Sequence, residues 1–478
     1  MSSADFLALL PLLITAYVAA ALMVLIAFWR SAAAAFWTSV IGFAASFAGI
    51  FFALRCSPRA VTPLLRVDAF SLYFTGLVLL GAILVALLAR DYLPAHAKRG
   101  EAYYVLLMIA VLGMAGMASS SHFGSFFLAL ETATISLYGL IGYTRGVRPS
   151  LEAAIKYLVL AATSSAFLLF GIALIYSEFG TMDLRLLADL MPGGMSVASG
   201  LGLAMLLAGF GFKLAVVPFH MWSPDVYQGA PAPTTALIAT GSKGAVFALL
   251  LRFFVVGHLA SEGRALLAVT VLAVTTVLVG NLLALLQTNL KRLLAYSSVA
   301  HVGYLLIPLL ARRPDGPASI AFYLGSYFAT AIAAFGVISA LSRSRSEGDV
   351  EDLSAFRGLA FQRPVLAAIF ALCMLSLTGI PLTAGFIAKF YIFAAAIESG
   401  LWGLVIVGVV GSGISAFYYL RVLGALYARP DADPTPTPSV PTSTAAALAI
   451  CTAAIIILGV YPTPLIRLAE AAARAVGL

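Results

Sequence analysis

Apolar runs of membrane-crossing length follow one another along this chain, starting at Asp5. Inside lipid every backbone N–H and C=O must be satisfied within the spanning segment, so such runs become helices. Crossing the apolar core takes roughly 20 residues. Runs of that size cover 5–28, 33–54, 69–89, 102–118, 122–143, 154–176, 199–221, 232–256, 265–286, 292–311, 317–341, 364–397, 401–427 and 444–465. The expected fold class is an all-α polytopic membrane protein with about 14 transmembrane helices. Composition agrees: 10% of residues are charged, against about 25% in soluble domains. The net charge of +8 is spread over short loops with no basic block among aromatics. That pattern points to the lipid bilayer as partner and away from nucleic acid. Cys56 lies in a loop and Cys373 and Cys451 in apolar runs, so no disulfide framework, zinc site or iron–sulfur motif is expected. The first run has no basic residue ahead of it, which predicts a retained helix and not a cleaved leader.

Two of the runs are interrupted. In GFGFKLAVVPFHMWSPDVYQGAPAPTTALIATGSKG, from Gly209 to Gly244, Pro218 breaks an apolar run just after Lys213. A proline removes a backbone hydrogen bond and frees the carbonyl four residues back, here that of Leu214. The run 364–397 is too long for one plain helix and contains Gly379, Pro381 and Gly385. Broken spans at matching places in two halves of a chain mark inverted-repeat transport folds with a site near the midplane. The expected organisation is residues 1–101 as three leading helices, 102–256 and 265–427 as five-helix units, and 444–478 around a last helix. The polar stretches Ser342–Arg363 and Pro430–Pro441 are expected to be exposed loops.

Basic residues sort by type. The chain has 22 arginines and 6 lysines, and Lys156, Lys213, Lys243 and Lys389 fall inside predicted spans, whereas no arginine is expected deep in one. Arginine stays protonated in proteins, whereas a buried lysine gives up its proton readily. Fixed charge at the surface and switchable charge in the membrane is the division a proton path requires. Charged groups in a span are costly and mark functional sites. Lys156, near a span end, could equally snorkel to the interface. Glu131, in FFLALETATISLYGL, is the acidic residue expected deep in a span, and Lys213 is its natural partner. Pairing would hold the proton on Lys213 and separation would release it toward Lys243; a static ion pair is the other reading. His301, in YSSVAHVGY, shares a face with Ser297 and Tyr304. It is either a satisfied core histidine or a bridge between Lys243 and Lys389. His220 either lines a proton entrance or caps freed backbone groups, and Asp225 reads as a structural turn residue. Gly385 shares the face of Lys389, leaving room for water or another helix.

If the N-terminus is outside, inner loops hold 14 basic residues, Lys291, Arg357 and Arg421 among them, and outer loops 10, Arg252 among them. The positive-inside rule then places both termini outside.

At these residues the chain resembles the antiporter-like membrane subunits of respiratory complex I, the proton-pumping NADH–quinone oxidoreductase. PFHMWSPDVYQGAPAPTTALIATGSKGA is similar to the central signature of the N-type branch, and NLLALLQTNLKRLLAYSSVAHVGY and LSLTGIPLTAGFIAKF match the family as well. The likeness runs from Asp68 to about Arg421. It implies two inverted five-helix repeats, each with a broken helix at Pro218 or Pro381, around a central hydrophilic axis that moves protons. Residue by residue it implies proton-path roles for Glu131, Lys213, Lys243 and Lys389 and accessory places for Lys156, His220 and His301. Thr132 and Thr134 depart from the more aliphatic residues that usually follow the glutamate, which bears on its hydration. The likeness implies no cofactor in this chain, with NADH, FMN, iron–sulfur clusters and quinone elsewhere in the complex. It implies a neighbouring antiporter-like subunit and small membrane subunits as partners; the excess of arginine over lysine points to a bacterial inner membrane, with the termini periplasmic by the charge count above. A monovalent cation/proton antiporter subunit shares the fold, and a non-pumping scaffold is the remaining alternative.

Overall fold

The computed structural model describes residues 2–190, 196–256, 263–311, 315–343, 348–429 and 439–476. Arg312, Arg313, Arg345 and positions 430–438 of the expected linker lie outside the described residues. In chain order the membrane helices are α1 (Leu10–Phe28), α2 (Ala32–Leu54), α3 (Ala69–His96), α4 (Glu101–Ser119), α5 (Phe123–Ile141), α6 (Arg148–Phe179) and α7 (Val197–Leu214). Then come α8 (Ala232–Val255), α9 (Ala265–Leu285), α10 (Leu290–Leu309) and α11 (Asp315–Ser342). The broken α12 follows (Pro364–Thr378 and Ala384–Glu398), then α13 (Trp402–Tyr427) and α14 (Thr442–Val460). Thirteen helices among the described residues are long and apolar enough to cross a membrane, and α12 is the exception because each of its limbs is short.

Both predicted breaks are present, and left-handed residues end the first limbs. Helix α7 stops at Leu214, ahead of Pro218, because Ala215 turns left-handed (φ 61°). A second limb, Trp222–Gly229, follows the linker. The first limb of α12 stops at Thr378 with Gly379 at φ 89°, and Leu382 is left-handed too. Helix α8 has a further irregularity, a π turn at Ile238–Ser242 directly before Lys243. Where segments begin regularly, short polar side chains accept from the free N–H groups: Asp68 at α3, Ser31 at α2 and Asn289 at α10.

The bundle has a clear inside. In α8 and α10, 94% of the spanning window is buried, and in α11 89%, against 22% in α1 and 33% in α9. The outer helices turn Tyr17, Ile41, Phe51, Leu169 and Ile406 outward, as lipid-facing surfaces do. In lipid no hydrophobic force draws helices together, so small residues that admit close backbones set the contacts. Helices α6 and α7 show this: a Cβ on Gly171 would lie 2.7 Å from the Gly202 carbonyl oxygen. The pairings recur along the chain. Helix α4 packs on α5 as α9 packs on α10, α6 on α7 as α11 on α12, and α8 returns to α4 as α13 returns to α9.

Three features went unforeseen. An antiparallel hairpin, Arg59–Thr62 with Leu65–Val67, joins α2 to α3, its turn held by the Thr62 hydroxyl. An amphipathic helix, Thr463–Ala475, follows α14 and lays Ala469 and Ala472 against α3 and α11. Two buried ion pairs also replace supposed loop charges. Arg252 is not in an outer loop, nor is every arginine shallow: it is 3% exposed and grips Asp68 with both terminal nitrogens, at 2.9 and 3.0 Å. Burial alone would raise the Asp68 carboxyl, but Arg252 and Arg66 hold it below its ordinary value. Lys291 is likewise buried. Its ammonium donates to the Gln228 and Ala230 carbonyls, at 2.8 and 2.6 Å, and to Asp349 at 2.6 Å. All three of its donors are used, which explains how an interfacial charge became an interior one. They bolt the α7–α8 connection to α10 and to the loop after α11.

Lys291→Met should leave Asp349 as a buried unpaired charge and cost about 3–5 kcal/mol. Thermal unfolding of the full-length chain in detergent should show the loss, with part of it recovered by adding Asp349→Leu. Equal stability of the single variant and the parent would refute the bolt.

Candidate functional site

Lys213 occupies the last turn of α7, and the way that helix ends prepares its surroundings. The carbonyls left open by the break are not abandoned. The Val216 N–H returns to the Gly211 oxygen at 2.7 Å, and the Trp222 indole donates to the Phe212 oxygen at 2.8 Å. The indole and the Val216 N–H thus seal the carbonyls of Phe212 and Gly211, two and three residues before Leu214. The ammonium is 4% exposed and donates to the Thr134 hydroxyl of α5 at 2.9 Å. It also sits at the C-terminal, negatively polarised end of a half-helix, which favours a cation.

Glu131 stands one turn before Thr134 on α5, yet it does not touch Lys213: no ion pair within 4.0 Å joins them. Its carboxylate accepts from Ser165 of α6 at 2.5 Å and is partly exposed. The direct pair expected between them is therefore absent: Lys213 is met by the Thr134 hydroxyl and Glu131 by the Ser165 hydroxyl. Thr134, which departs from the aliphatic pattern, accepts from Lys213 while it donates to the Leu130 carbonyl at 2.7 Å.

Lys243 begins the α-helical segment after the π turn and is 3% exposed. It donates to Ser298 of α10 at 2.7 Å and lies 5.7 Å from the centre of the Tyr227 ring. The Tyr227 hydroxyl in turn meets Ser298 at 3.2 Å. His301 follows Ser298 by three residues, one helical turn on the same face. Its Nδ1 meets the Tyr323 hydroxyl at 2.5 Å and its Nε2 the Tyr419 hydroxyl at 3.2 Å. Tyr419 also contacts Ser297. The open choice for His301 narrows: both ring nitrogens are satisfied, and by hydroxyls that themselves donate and accept.

Beyond His301 lies a polar cavity of about 10 Å³ whose walls include Tyr323, Ser326, Tyr327, Thr330 and Ser376, with Lys389 at its far side. That is room for roughly one water. Lys389 is 5% exposed, donates to the Thr378 carbonyl at 2.8 Å and to Ser412 at 2.9 Å, and faces the Tyr304 ring at 5.2 Å. Thr378 closes the first limb of α12, so this ammonium too rests on the C-terminal end of a half-helix. Gly385 lines this same cavity, and its other side is closed by the neighbouring limb. A Cβ there would lie 1.8 Å from the Ser376 oxygen, so its role is to let the two limbs pass each other.

The accessory residues divide. Lys156 is 43% exposed and pairs with Glu152 at 2.8 Å and with Asp225 at 2.7 Å. Asp225 is not a turn residue: it lies in the first turn of the Trp222–Gly229 limb and also binds Arg292 at 2.7 Å. These charges line a polar recess of about 290 Å³ together with Gln228. His220 is buried beside Tyr296, neither ring nitrogen having a hydrogen-bond partner of ordinary geometry. It does not join the row. Among the described residues no hydrogen bond links the Lys213–Thr134 pair to the Lys243–Ser298 pair. The hydroxyls of Thr134, Ser298, Ser412, Tyr323 and Tyr419 were missed from the sequence. Ser298, one turn from His301 in YSSVAHVGY, and Thr134, a departure from the aliphatic pattern, carried readable signals.

A family model described as "NADH:quinone oxidoreductase/Mrp antiporter, TM" matches residues 120–415. The chain is 43% identical over 475 residues to a protein of Ectopseudomonas mendocina called NADH-quinone oxidoreductase subunit N, covering 98% of this chain and 96% of that one. It is similar to a chain in the structure of respiratory complex I from Thermus thermophilus with bound aureothin, at 36% identity and a TM-score of 0.82, over 96% and 98% of the two chains. A chain of the Mrp complex from Dietzia sp. shares the fold, with a TM-score of 0.87 at 23% identity over 100% and 98% of the chains.

Thr134→Val keeps the shape beside Lys213 but removes its acceptor. We expect a loss of about 1–3 kcal/mol in unfolding experiments on the full-length chain. Thr132→Val, whose hydroxyl bonds only its own helix, should change stability by less than about 0.5 kcal/mol. Equal effects of the two would show that the Lys213 contact contributes nothing.

Proposed function

The chain belongs to the NADH:quinone oxidoreductase/Mrp antiporter transmembrane family, and on that footing we propose that it is the N-type membrane subunit of a proton-pumping NADH–quinone oxidoreductase, passing protons along Glu131, Lys213, Lys243, His301 and Lys389. The observation that carries the reading is the buried stretch from Lys243 to Lys389. Two ammonium groups and an imidazole lie along it: Lys243 on Ser298, His301 one helical turn further between two tyrosine hydroxyls, and Lys389 across a one-water cavity. Each member donates or accepts through a rotatable O–H, so a proton can be handed on without exposing charge to lipid. Lys213, Thr134, Glu131 and Ser165 form a second cluster on the outer side. The break between the clusters is where a transfer is withheld until the pump is driven.

The recurring helix pairings support two units, 102–256 and 265–427, with 1–101 and 444–478 packed around them. Five is an odd number of crossings, so the second unit starts from the opposite side and is inverted relative to the first. Lys156 and the recess around Asp225 form the mouth on the arginine-rich side, and the termini lie on the other, periplasmic, side of a bacterial inner membrane. The reduction of quinone by NADH, through FMN and iron–sulfur clusters, takes place in other subunits. A half-exposed carboxylate such as Glu131 is costly in lipid, which supports a neighbouring antiporter-like or small membrane subunit covering α5 and α6.

Energetically the scheme is balanced. Moving one charge against the potential costs about 2.3 kcal/mol per 100 mV. A hundredfold change in a lysine's hold on its proton supplies about 2.7 kcal/mol. In the assembled oxidoreductase, Lys243→Ala and Lys389→Ala should each lower quinone reduction and proton pumping together, by tenfold or more. Lys156→Ala, on a solvent-exposed pair, should lower both by less than twofold. Full rates in both buried-lysine variants would leave only a scaffold, and sodium-dependent transport without NADH oxidation would favour the cation antiporter.

A further inference from the structure

Helix α9 turns most of its surface outward, yet Asn281, near its C-terminal end, is fully buried. Its amide makes three hydrogen bonds. Nδ2 donates to the Val277 carbonyl of its own helix at 2.7 Å and to the Tyr304 hydroxyl of α10 at 3.0 Å. Oδ1 accepts from the Tyr418 hydroxyl of α13 at 3.0 Å. A buried amide is costly unless it is bonded, and this one reaches two other helices. Gly411 of α13 lets them converge. A Cβ there would lie 2.4 Å from Val277 Cγ1, 3.0 Å from Asn281 Nδ2 and 3.1 Å from the Tyr304 hydroxyl oxygen. The two tyrosines stand behind the two sides of the His301–Lys389 cavity. The Tyr304 ring centre lies 5.2 Å from the Lys389 ammonium, and the ring meets the His301 imidazole edge to face at 5.8 Å. The Tyr418 ring lies 4.4 Å from that of Tyr419, whose hydroxyl meets His301 Nε2 at 3.2 Å. The hydrogen bonds of His301 and Lys389 themselves go elsewhere, to Tyr323, Tyr419, Thr378 and Ser412.

We propose that Asn281 is a positioning residue for proton transfer between His301 and Lys389, acting through Tyr304 and Tyr418. The inference rests on the proton-path reading above. The Val277 carbonyl can only accept, so it fixes which end of the amide faces Tyr304. Tyr304 then accepts from Asn281 while Tyr418 donates to it, and the two phenols are set in opposite senses. A rotatable hydroxyl in place of the amide could not enforce that, since it donates or accepts at will. A carboxamide also has no proton to give up, so the bond orients both rings without opening a branch from the row toward the lipid-facing helix. With Tyr304 held, its face stays against the Lys389 ammonium, an attraction that weakens as soon as the ring turns away. With Tyr418 held, Tyr419 keeps its neighbour and its hydroxyl stays on His301. An amide that served only to fasten α9 to α10 and α13 would matter to assembly and leave turnover alone.

The test uses the assembled oxidoreductase, with kcat counted per intact complex. Asn281→Leu keeps the volume and removes the amide. It should lower kcat for quinone reduction and the pumping rate together, at least threefold, with the quinone KM unchanged. Tyr304→Phe keeps the ring and breaks the bond from the other side, and should lower kcat at least twofold. Adding Asn281→Leu to Tyr304→Phe with Tyr418→Phe should lower it no further, because the amide then has no phenol left to hold. Thr275→Val, whose hydroxyl bonds only within α9, should keep the parental kcat. Parental kcat in Asn281→Leu or in Tyr304→Phe would overturn the positioning role, as would losses that multiply in the combined variant. Less assembled complex with kcat unchanged would reduce Asn281 to a fastening. Should Asn281→Leu not assemble, Tyr304→Phe decides alone. Lys389→Ala at full rate would sink the proton path itself, whereas an inactive Lys389→Ala beside a fully active Asn281→Leu would sink only the role of the amide.

Discussion

A positive charge inside a bilayer must find acceptors within reach, and the architecture of this chain follows from how it provides them. Breaking a helix at membrane depth is expensive, because it opens backbone groups that lipid cannot satisfy. Here the two breaks create what the lysines need. Each leaves the carbonyl end of a half-helix inside the protein, and each of those ends has an ammonium group against it: Lys213 from its own limb, Lys389 from the following one. Lys389 donates to the Thr378 carbonyl of that end and to the Ser412 hydroxyl, and Lys213 donates to the Thr134 hydroxyl of α5. The cost of the break and the cost of the charge offset one another.

That arrangement explains why the most buried helices surround the middle of the row, at Lys243 and His301. Helices α8, α10 and α11 form the inside of the bundle, and every hydroxyl that touches Lys243 or His301 comes from them, from α13 or from the second limb of α7. Outer helices are free to be apolar on all sides but one. The Lys291 and Arg252 pairs stand apart from the row. Their partners are carboxylates and carbonyls held in fixed geometry, which suits fastening more than transfer.

Much of this was legible in the residues. Lipid forces apolar runs into helices, so their number and place could be read directly, and a lysine ten residues inside such a run has few innocent explanations. Pro218 and the Gly379–Pro381 pair marked the breaks for the same reason. What escaped were relations set by three-dimensional neighbours. Thr134 looked like a departure from a pattern until the lysine of another helix was seen upon it. Asp225 follows a proline in a polar stretch and so reads as a turn, but that proline stands at the start of a helix, where its missing N–H costs nothing. Lys291 sat at a span boundary, and only the fold of the α11–α12 loop brings Asp349 to bury it. The terminal helix Thr463–Ala475 is too mixed in polarity to register as a span, and its alanine face means something only against α3 and α11.

The wide turn at Ile238–Ser242 stores one residue of slack directly upstream of Lys243. An ordinary helical residue advances about 100° around the axis. Relocating that surplus past the lysine would swing its side chain by about the same angle while the rest of α8 kept its seat, and so would carry the ammonium group off the Ser298 hydroxyl without unseating the helix.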